Sequence, residues 1–367
     1  MKMKLELILS RITAFTLQIY NSVFSEIPLR NAPYGECNTG PDALSWLPQD
    51  SIAQNCLDHD GMTRCWYVYT PLSVKERQSQ NHTFEFPLLV HLHGAGGCAS
   101  LPSMGWGSLA EEFEFVVVWP QGTYNPSPFD VPDFIDIDDL SSWNDGSGLF
   151  GAEVAGIDDL GFLQSLIEEE LSNNLVNLDQ SRVYMSGHSN GAVMAQRFSL
   201  QTNGVIAAVA AISGAGMPGD PEWLPGGSVG DMYSSTPIIL VAGTIDNQVP
   251  FGERRGPLAG AIPSFEKWAS INGCDKNSKI ETTNDLEYIQ HKYKNCANNA
   301  EVQLLEVFDA GHHPFTKGKG IFQISPLDVI AECPFRGIPF FYEADCGLAN
   351  FDSIKFVWDF ISSFEVP

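Results

Sequence analysis

Apolar residues recur along this chain with two different periods. Phe86-Pro87-Leu88-Leu89-Val90-His91-Leu92, Phe115-Val116-Val117-Val118-Trp119-Pro120 and Pro237-Ile238-Ile239-Leu240-Val241 are near-continuous apolar runs. Runs of this kind mark strands buried on both faces of a parallel sheet. Residues 64–70 alternate and are aromatic, with Pro71 as a stop, and read as a further strand. Residues 182–186, 205–212 and 302–308 complete the strand set. Between strands the period lengthens to that of a helix. After Ile157, Leu160, Leu163, Ile167 and Leu171 share one face, and Asp158 and Asp159 occupy the first turn, where the helix dipole favours acids. A helix is expected over 264–271. Another is expected over 351–364, where Ile354, Val357, Phe360, Ile361 and Phe364 share a face. Residues 73–85 read as a polar loop. Residues 26–63, rich in Pro, Asn, Gly and Asp, read as an irregular N-terminal extension. Strands alternating with helices predict an α/β fold whose central sheet is mostly parallel, with helices on both faces. No repeat and no linker divides 26–367, so one domain is expected.

Chemistry enters at Gly187-His188-Ser189-Asn190-Gly191. This stretch lies between the apolar run ending at Ser186 and the helix-forming Ala192-Val193-Met194-Ala195-Gln196-Arg197-Phe198. A strand, a tight Gly-x-Ser-x-Gly turn and a helix place the serine on a nucleophile elbow. Such a serine needs an acid and then a histidine further along the chain, each just beyond a strand. Asp246 follows the strand at 237–241, and His312 follows the strand at 302–308, directly after Gly311. His313 competes with it. His312 would take the serine proton and return it to the leaving group, while Asp246 would hold the imidazole tautomer. Two backbone N–H groups should face the developing oxyanion. One is that of Asn190, next after the serine. The other comes from His93-Gly94-Ala95-Gly96-Gly97, with Ala95 preferred and Gly96 second.

Several motifs together resemble the secreted polyhydroxybutyrate depolymerase and feruloyl esterase group of α/β-hydrolases. They are Leu92-His93-Gly94, Trp143-Asn144-Asp145-Gly146, Asp158-Asp159-Leu160-Gly161-Phe162, the run Ser181 to Gly191, Gly243-Thr244-Ile245-Asp246, Val249-Pro250-Phe251 and Gly311-His312. The resemblance spans about 64–316 and resumes in the last helix. It implies an α/β-hydrolase fold and hydrolysis of carboxylic esters (feruloyl, polyhydroxyalkanoate or short acyl) through an acyl-enzyme, with no cofactor and no metal. It also implies a cysteine pair before the histidine strand, where Cys274 and Cys296 stand. The chain departs from the family at Pro314, which stands where a tryptophan that shapes the substrate cleft is common. Residues 317–349 are an insertion in which Cys333 and Cys346 could staple a loop. It would either wall the site or decorate the surface. Cys37, Cys56, Cys65 and Cys98 are left with three pairings.

Charge and composition narrow the partners. A net charge of −25 excludes the basic patch that nucleic acid requires, leaving a small or polymeric ester as the expected partner. The eight cysteines include no paired C-x-x-C set for structural zinc, and fit disulfides in an exported protein. Residues 1–25 read as a signal peptide, with Lys2 and Lys4 ahead of an apolar stretch at 12–20, although Glu6, Arg11 and Gln18 interrupt the pattern. That stretch is too short and polar to span a membrane. Asn81-His82-Thr83 is an N-glycosylation sequon, and secretion is expected. Asp130, Asp133, Asp136, Asp138 and Asp139 lack the spacing of a calcium loop and read as solvated. Phe129 and Trp143 are the candidates for contacting an acyl group, or else for anchoring their loop. Two other functions compete: a prolyl-oligopeptidase-type peptidase, which would need a propeller domain ahead of the hydrolase region, and a non-catalytic binding module, which would have no need of an intact triad.

Overall fold

The computed structural model describes residues 47–99, 105–126, 139–173, 175–202, 204–214, 229, 233–246, 248–252, 260–284, 287–312 and 352–366. Residues 1–25, the acidic residues Asp130, Asp133, Asp136 and Asp138, Phe129, His313, Pro314 and the 317–349 insertion lie outside them.

Ten strands form one sheet in the order β1-β2-β4-β3-β7-β8-β9-β12-β11-β10. They are β1 (Ile52–His59), β2 (Met62–Tyr69), β3 (Phe86–Leu92), β4 (Val116–Pro120), β7 (Leu178–His188), β8 (Ala208–Ile212), β9 (Ile238–Gly243), β10 (Ile280–Asn284), β11 (Tyr288–Tyr293) and β12 (Val302–Val307). From β4 through β12 the neighbours are parallel, and both edges are antiparallel. A separate hairpin joins β5 (Thr123–Pro126) to β6 (Asp139–Ser142). Every residue of β3, β4, β8 and β9 is buried, as their unbroken apolar character requires. Burying each large apolar side chain contributes roughly 1.5–3 kcal/mol.

The helices are α1 (Leu72–Gln80), α2 (Trp106–Phe113), the single turn α3 (Gly151–Val154), α4 (Asp159–Ser172), α5 (Asn190–Gln201), α6 (Ala261–Ile271) and α7 (Ser353–Ile361). Asp158 caps α4, accepting from Gly161 N. Two apolar cores lie on opposite faces of the sheet. One holds Phe162, Leu166, Met194 and Phe198 of α4 and α5, and the other holds Trp106, Val357, Trp358 and Ile361 of α2 and α7.

Two expectations are corrected. Residues 73–85 are not all loop, because α1 covers Leu72–Gln80 with Val74 as its one buried residue. A helix lying on the surface by one side chain carries no apolar stripe to read. The stretch 26–63 is not irregular throughout, because β1 pairs with β2 along its whole length. As an edge strand with burial on alternate residues at most, it could be polar. At the other edge of the sheet the β10–β11 hairpin is also polar and only partly buried, so it leaves no apolar run in the sequence. Cys56 sits directly opposite Cys65 in the β1–β2 register and is bonded to it, which selects one of the three open pairings. Cys98 is disulfide-bonded too. Cys274–Cys296 is bonded as the resemblance implied, and closing its loop of 22 residues contributes on the order of 3 kcal/mol.

Candidate active site

Ser189 stands between the end of β7 and the start of α5 with φ 52° and ψ −121°, a left-handed backbone that a residue with a side chain adopts only at a cost of about 1–3 kcal/mol. The two flanking glycines permit this turn. A Cβ on Gly187 would lie 2.2 Å from Gly191 O, and one on Gly191 would lie 2.4 Å from His93 O and 2.5 Å from Leu92 O. The turn is therefore packed against the end of β3, where the Gly-rich loop begins. Ser189 N–H donates to Ile212 O at 2.9 Å, which ties the turn to β8. Ser189 itself is half-buried.

Asp246 and His312 are brought together by backbone. Thr244 N–H donates to Val307 O and Ile245 N–H to Ala310 O, each at 3.0 Å. A Cβ on Gly243 would meet Ala310 O at 2.1 Å. Asp246 Oδ2 lies 2.9 Å from His312 Nδ1. The carboxylate can only accept, so Nδ1 carries the proton and Nε2 of the neutral ring is the basic nitrogen. The other oxygen, Oδ1, accepts from Gln248 N at 2.8 Å and Val249 N at 2.9 Å. Both side chains are nearly inaccessible, at 4% for His312 and 1% for Asp246. His188, beside the serine, has Nε2 2.9 Å from His312 O, and the two rings lie 4.9 Å apart. Strand order therefore gathers the serine turn, the acid loop and the histidine loop at the carboxyl ends of β7, β9 and β12.

Of the glycine-rich loop, Gly94 lies nearest the serine, since a Cβ there would be 3.2 Å from Ser189 Cβ. Gly96 N–H is spent on Ser141 O at 2.7 Å and Gly97 N–H on Gly94 O at 2.9 Å, which removes Gly96, the second choice of donor. His93 pins the loop. Its Nδ1 donates to Gly94 O at 2.8 Å and its Nε2 accepts from Gly122 N at 3.0 Å. Burial lowers its pKa to about 4, so the ring stays neutral in the tautomer that these partners demand.

Trp143 is fully buried within the core of the α4–α5 face. Its indole N–H donates to His93 O at 2.9 Å. A side chain with no exposed surface cannot contact an acyl group, so of its two expected roles Trp143 has the anchoring one. The Asn190 side chain, buried at 2% exposure, accepts from Trp143 N at 2.8 Å and donates to Trp143 O at 3.0 Å and to Asp145 Oδ2 at 2.7 Å. The motif Trp143 to Gly146 was visible in the sequence, but its partners were not. Nothing in the spacing of residues 143–147 points to position 190.

Among the described residues one group, His59, Asp60 and Asp158, has metal-ligating atoms close together. Asp158 is already committed to capping α4 and to His59 Nε2 at 3.0 Å, and the group is largely exposed. No helix among the described residues is long and apolar enough to cross a membrane.

No protein-family model matches the chain. Feruloyl esterase B of Piromyces equi is 27% identical over 237 residues, covering 62% of this chain and 39% of that protein. A bifunctional acetylxylan esterase/xylanase of Neocallimastix patriciarum is 23% identical over 256 residues, covering 69% of this chain and 31% of that protein. The chain thus spans less than half the length of these curated relatives. Among solved structures, an acetyl xylan esterase from Aspergillus awamori aligns with a TM-score of 0.47 at 15% identity, over 71% of this chain and 94% of its own. A CE1 ferulic acid esterase from Anaeromyces mucronatus, in complex with ferulic acid, aligns with a TM-score of 0.38 at 17% identity, over 71% and 84%. The chain's own central sheet, parallel from β4 through β12, and its strand–serine turn–helix elbow are those of an α/β-hydrolase fold.

Proposed function

We propose that this α/β-hydrolase is a secreted serine carboxylesterase. Ser189 is the nucleophile, His312 the general base, Asp246 the acid that orients it, and the N–H groups of Asn190 and Ala95 the oxyanion donors. The observation that carries the reading is the buried His312–Asp246 contact at 2.9 Å, on loops zipped together beside the strained Ser189 turn. An imidazole held in the Nδ1–H tautomer presents a basic Nε2, which a serine hydroxyl needs before it can attack a carbonyl. The negative charge that develops on the carbonyl oxygen meets unspent N–H groups at the first turn of α5. Ala95 supplies the second donor, since Gly96 and Gly97 are bonded elsewhere. His312 then delivers the proton to the leaving alcohol, and water repeats the sequence on the acyl-enzyme.

The names of the relatives favour feruloyl or acetyl esters of plant-wall polysaccharide as substrates. Polyhydroxyalkanoates are the family's other class. Two disulfides within the described residues and an exposed sequon support export. In the sequon, Thr83 Oγ donates to Asn81 Oδ1 at 2.9 Å.

A fluorophosphonate probe should label Ser189 in the wild type and leave Ser189→Ala unlabelled. Purified protein should then release acid from methyl ferulate or an acetylated xylan in preference to polyhydroxybutyrate. Absence of labelling would overturn the serine mechanism, and hydrolysis of polyhydroxybutyrate alone would overturn the substrate class.

A further inference from the structure

We propose that Asp145 is a positioning residue for this reaction: through the Asn190 amide its carboxylate holds both walls of the oxyanion site in register. The inference rests on the esterase reading above. Asp145 has no exposed surface and lies outside the Ser189, His312 and Asp246 set. Its Oδ2 accepts from Asn190 Nδ2 at 2.7 Å, and its Oδ1 accepts from Ser147 N at 2.9 Å. Asn190 contributes its backbone N–H to the oxyanion on one side. Its side chain grips the N–H and C=O of Trp143 on the other. The Trp143 indole in turn caps His93 O, the carbonyl that opens the loop carrying Gly94 and Ala95. One chain of hydrogen bonds thus runs from Asp145 through Asn190, which carries one donor, to the carbonyl that opens the loop carrying the other.

Each Asp145 oxygen accepts from an N–H, and the Ser147 hydroxyl is a further partner, so all three contacts favour the ionised carboxylate. The ionised form is the one that fits. Burial nevertheless raises its pKa to about 6, with the Glu153 charge of α3 adding to the rise. Arg197 of α5 is the cation in electrostatic reach. A loop anchor with no other task would not need a carboxylate that is costly to ionise where it lies.

The test is the pH dependence of ester hydrolysis by purified full-length protein, using a short-chain nitrophenyl ester. A general base acts only when unprotonated, and in the wild type the ionisation of Asp145 adds a second requirement. The acid limb of kcat/KM should therefore steepen to second order in proton concentration. Asp145→Asn keeps the shape but turns an N–H toward one donor. It should lower kcat by about 100-fold, leave KM within about threefold, and return the acid limb to first order. Glu153→Gln leaves the network in place and removes a like charge. It should keep neutral-pH kcat and move the Asp145 step to lower pH. Wild-type kcat in Asp145→Asn, a first-order acid limb in the wild type, or an unmoved limb in Glu153→Gln would each overturn the proposal alone. A wild type that fluorophosphonate does not label would overturn the esterase reading as well.

Discussion

The two sides of Ser189 are held by different means. The acid and histidine loops are joined mainly by backbone: Thr244 N to Val307 O, Ile245 N to Ala310 O, and the close approach of Gly243 to Ala310. Loop 143–147 is held mainly by side chains. Asn190 grips it from α5 at Trp143 and Asp145, while Asp159 accepts from Asn144 N at 2.7 Å and forms a fully buried pair with Arg64 at 2.7 Å. Arg197 adds bonds to Asn144 O and Oδ1 at 2.6 and 2.7 Å. Backbone bonding survives most substitutions, because every residue brings the same N–H and C=O. A side-chain network concentrates its stability in a few polar groups, and leaving one of them without a partner in the interior is costly.

That contrast can be broken at graded cost. Asp246→Asn should reduce kcat on the order of 10⁴-fold with the melting temperature nearly unchanged, because the backbone zipper stays intact. A large loss of stability would mean that the Asp246–His312 hydrogen bond, and not the backbone, holds the loops. On the other side, Asp159→Asn leaves the buried Arg64 charge unpaired and should cost about 3–5 kcal/mol in denaturant unfolding. Arg64 already has Nε and Nη1 without partners, and its guanidinium lies over the Phe162 ring at 4.0 Å, so the site has little with which to compensate.

Acid should weaken the end of β3 and the glycine-rich loop that follows it. His93 and His91 have pKa values lowered by burial to about 4 and about 3. Between these values and the ordinary imidazole range, the unfolded chain binds protons that the folded chain refuses, so stability falls as pH falls, by on the order of 3–5 kcal/mol for each histidine in full. Asp145 acts in the opposite sense. Its raised pKa means that the folded chain binds a proton first, which adds some stability as pH falls below about 6. Unfolding measured across this range should show a net loss, and a flat profile would contradict the burial of both rings. The smallest effect is expected at Thr244→Val. It removes the hydroxyl that accepts from Asp309 N at 2.9 Å and should cost about 1 kcal/mol, with activity retained. A cost near that of Asp159→Asn would erase the distinction between the two sides.

Reading the chain by pattern succeeded where the signal is local. The apolar runs became β3, β4 and β9, and Gly187 and Gly191 stand where any Cβ would strike backbone. It failed at α1, at β1 and at the β10–β11 hairpin, where elements on the surface or at a sheet edge bury too little to leave a period. It left Trp143 open between two roles. Aromatic character marks a residue as a large contact surface without saying whether that surface meets a ligand or the core.

What the sequence by itself determined was the succession of the buried core strands and their amphipathic helices, the strained serine turn, and an acid and a histidine each just past a strand. These follow from short-range sterics and hydrophobic period, which neighbouring residues dictate. Only the tertiary structure decided that His312 Nδ1 meets Asp246, that Gly96 N–H is spent on Ser141 O, and that Asn190 is tied to Asp145 across 45 residues of chain. Hydrogen-bond partners are chosen by which buried groups would otherwise go unsatisfied once the sheet has formed, and that choice has no counterpart in local spacing.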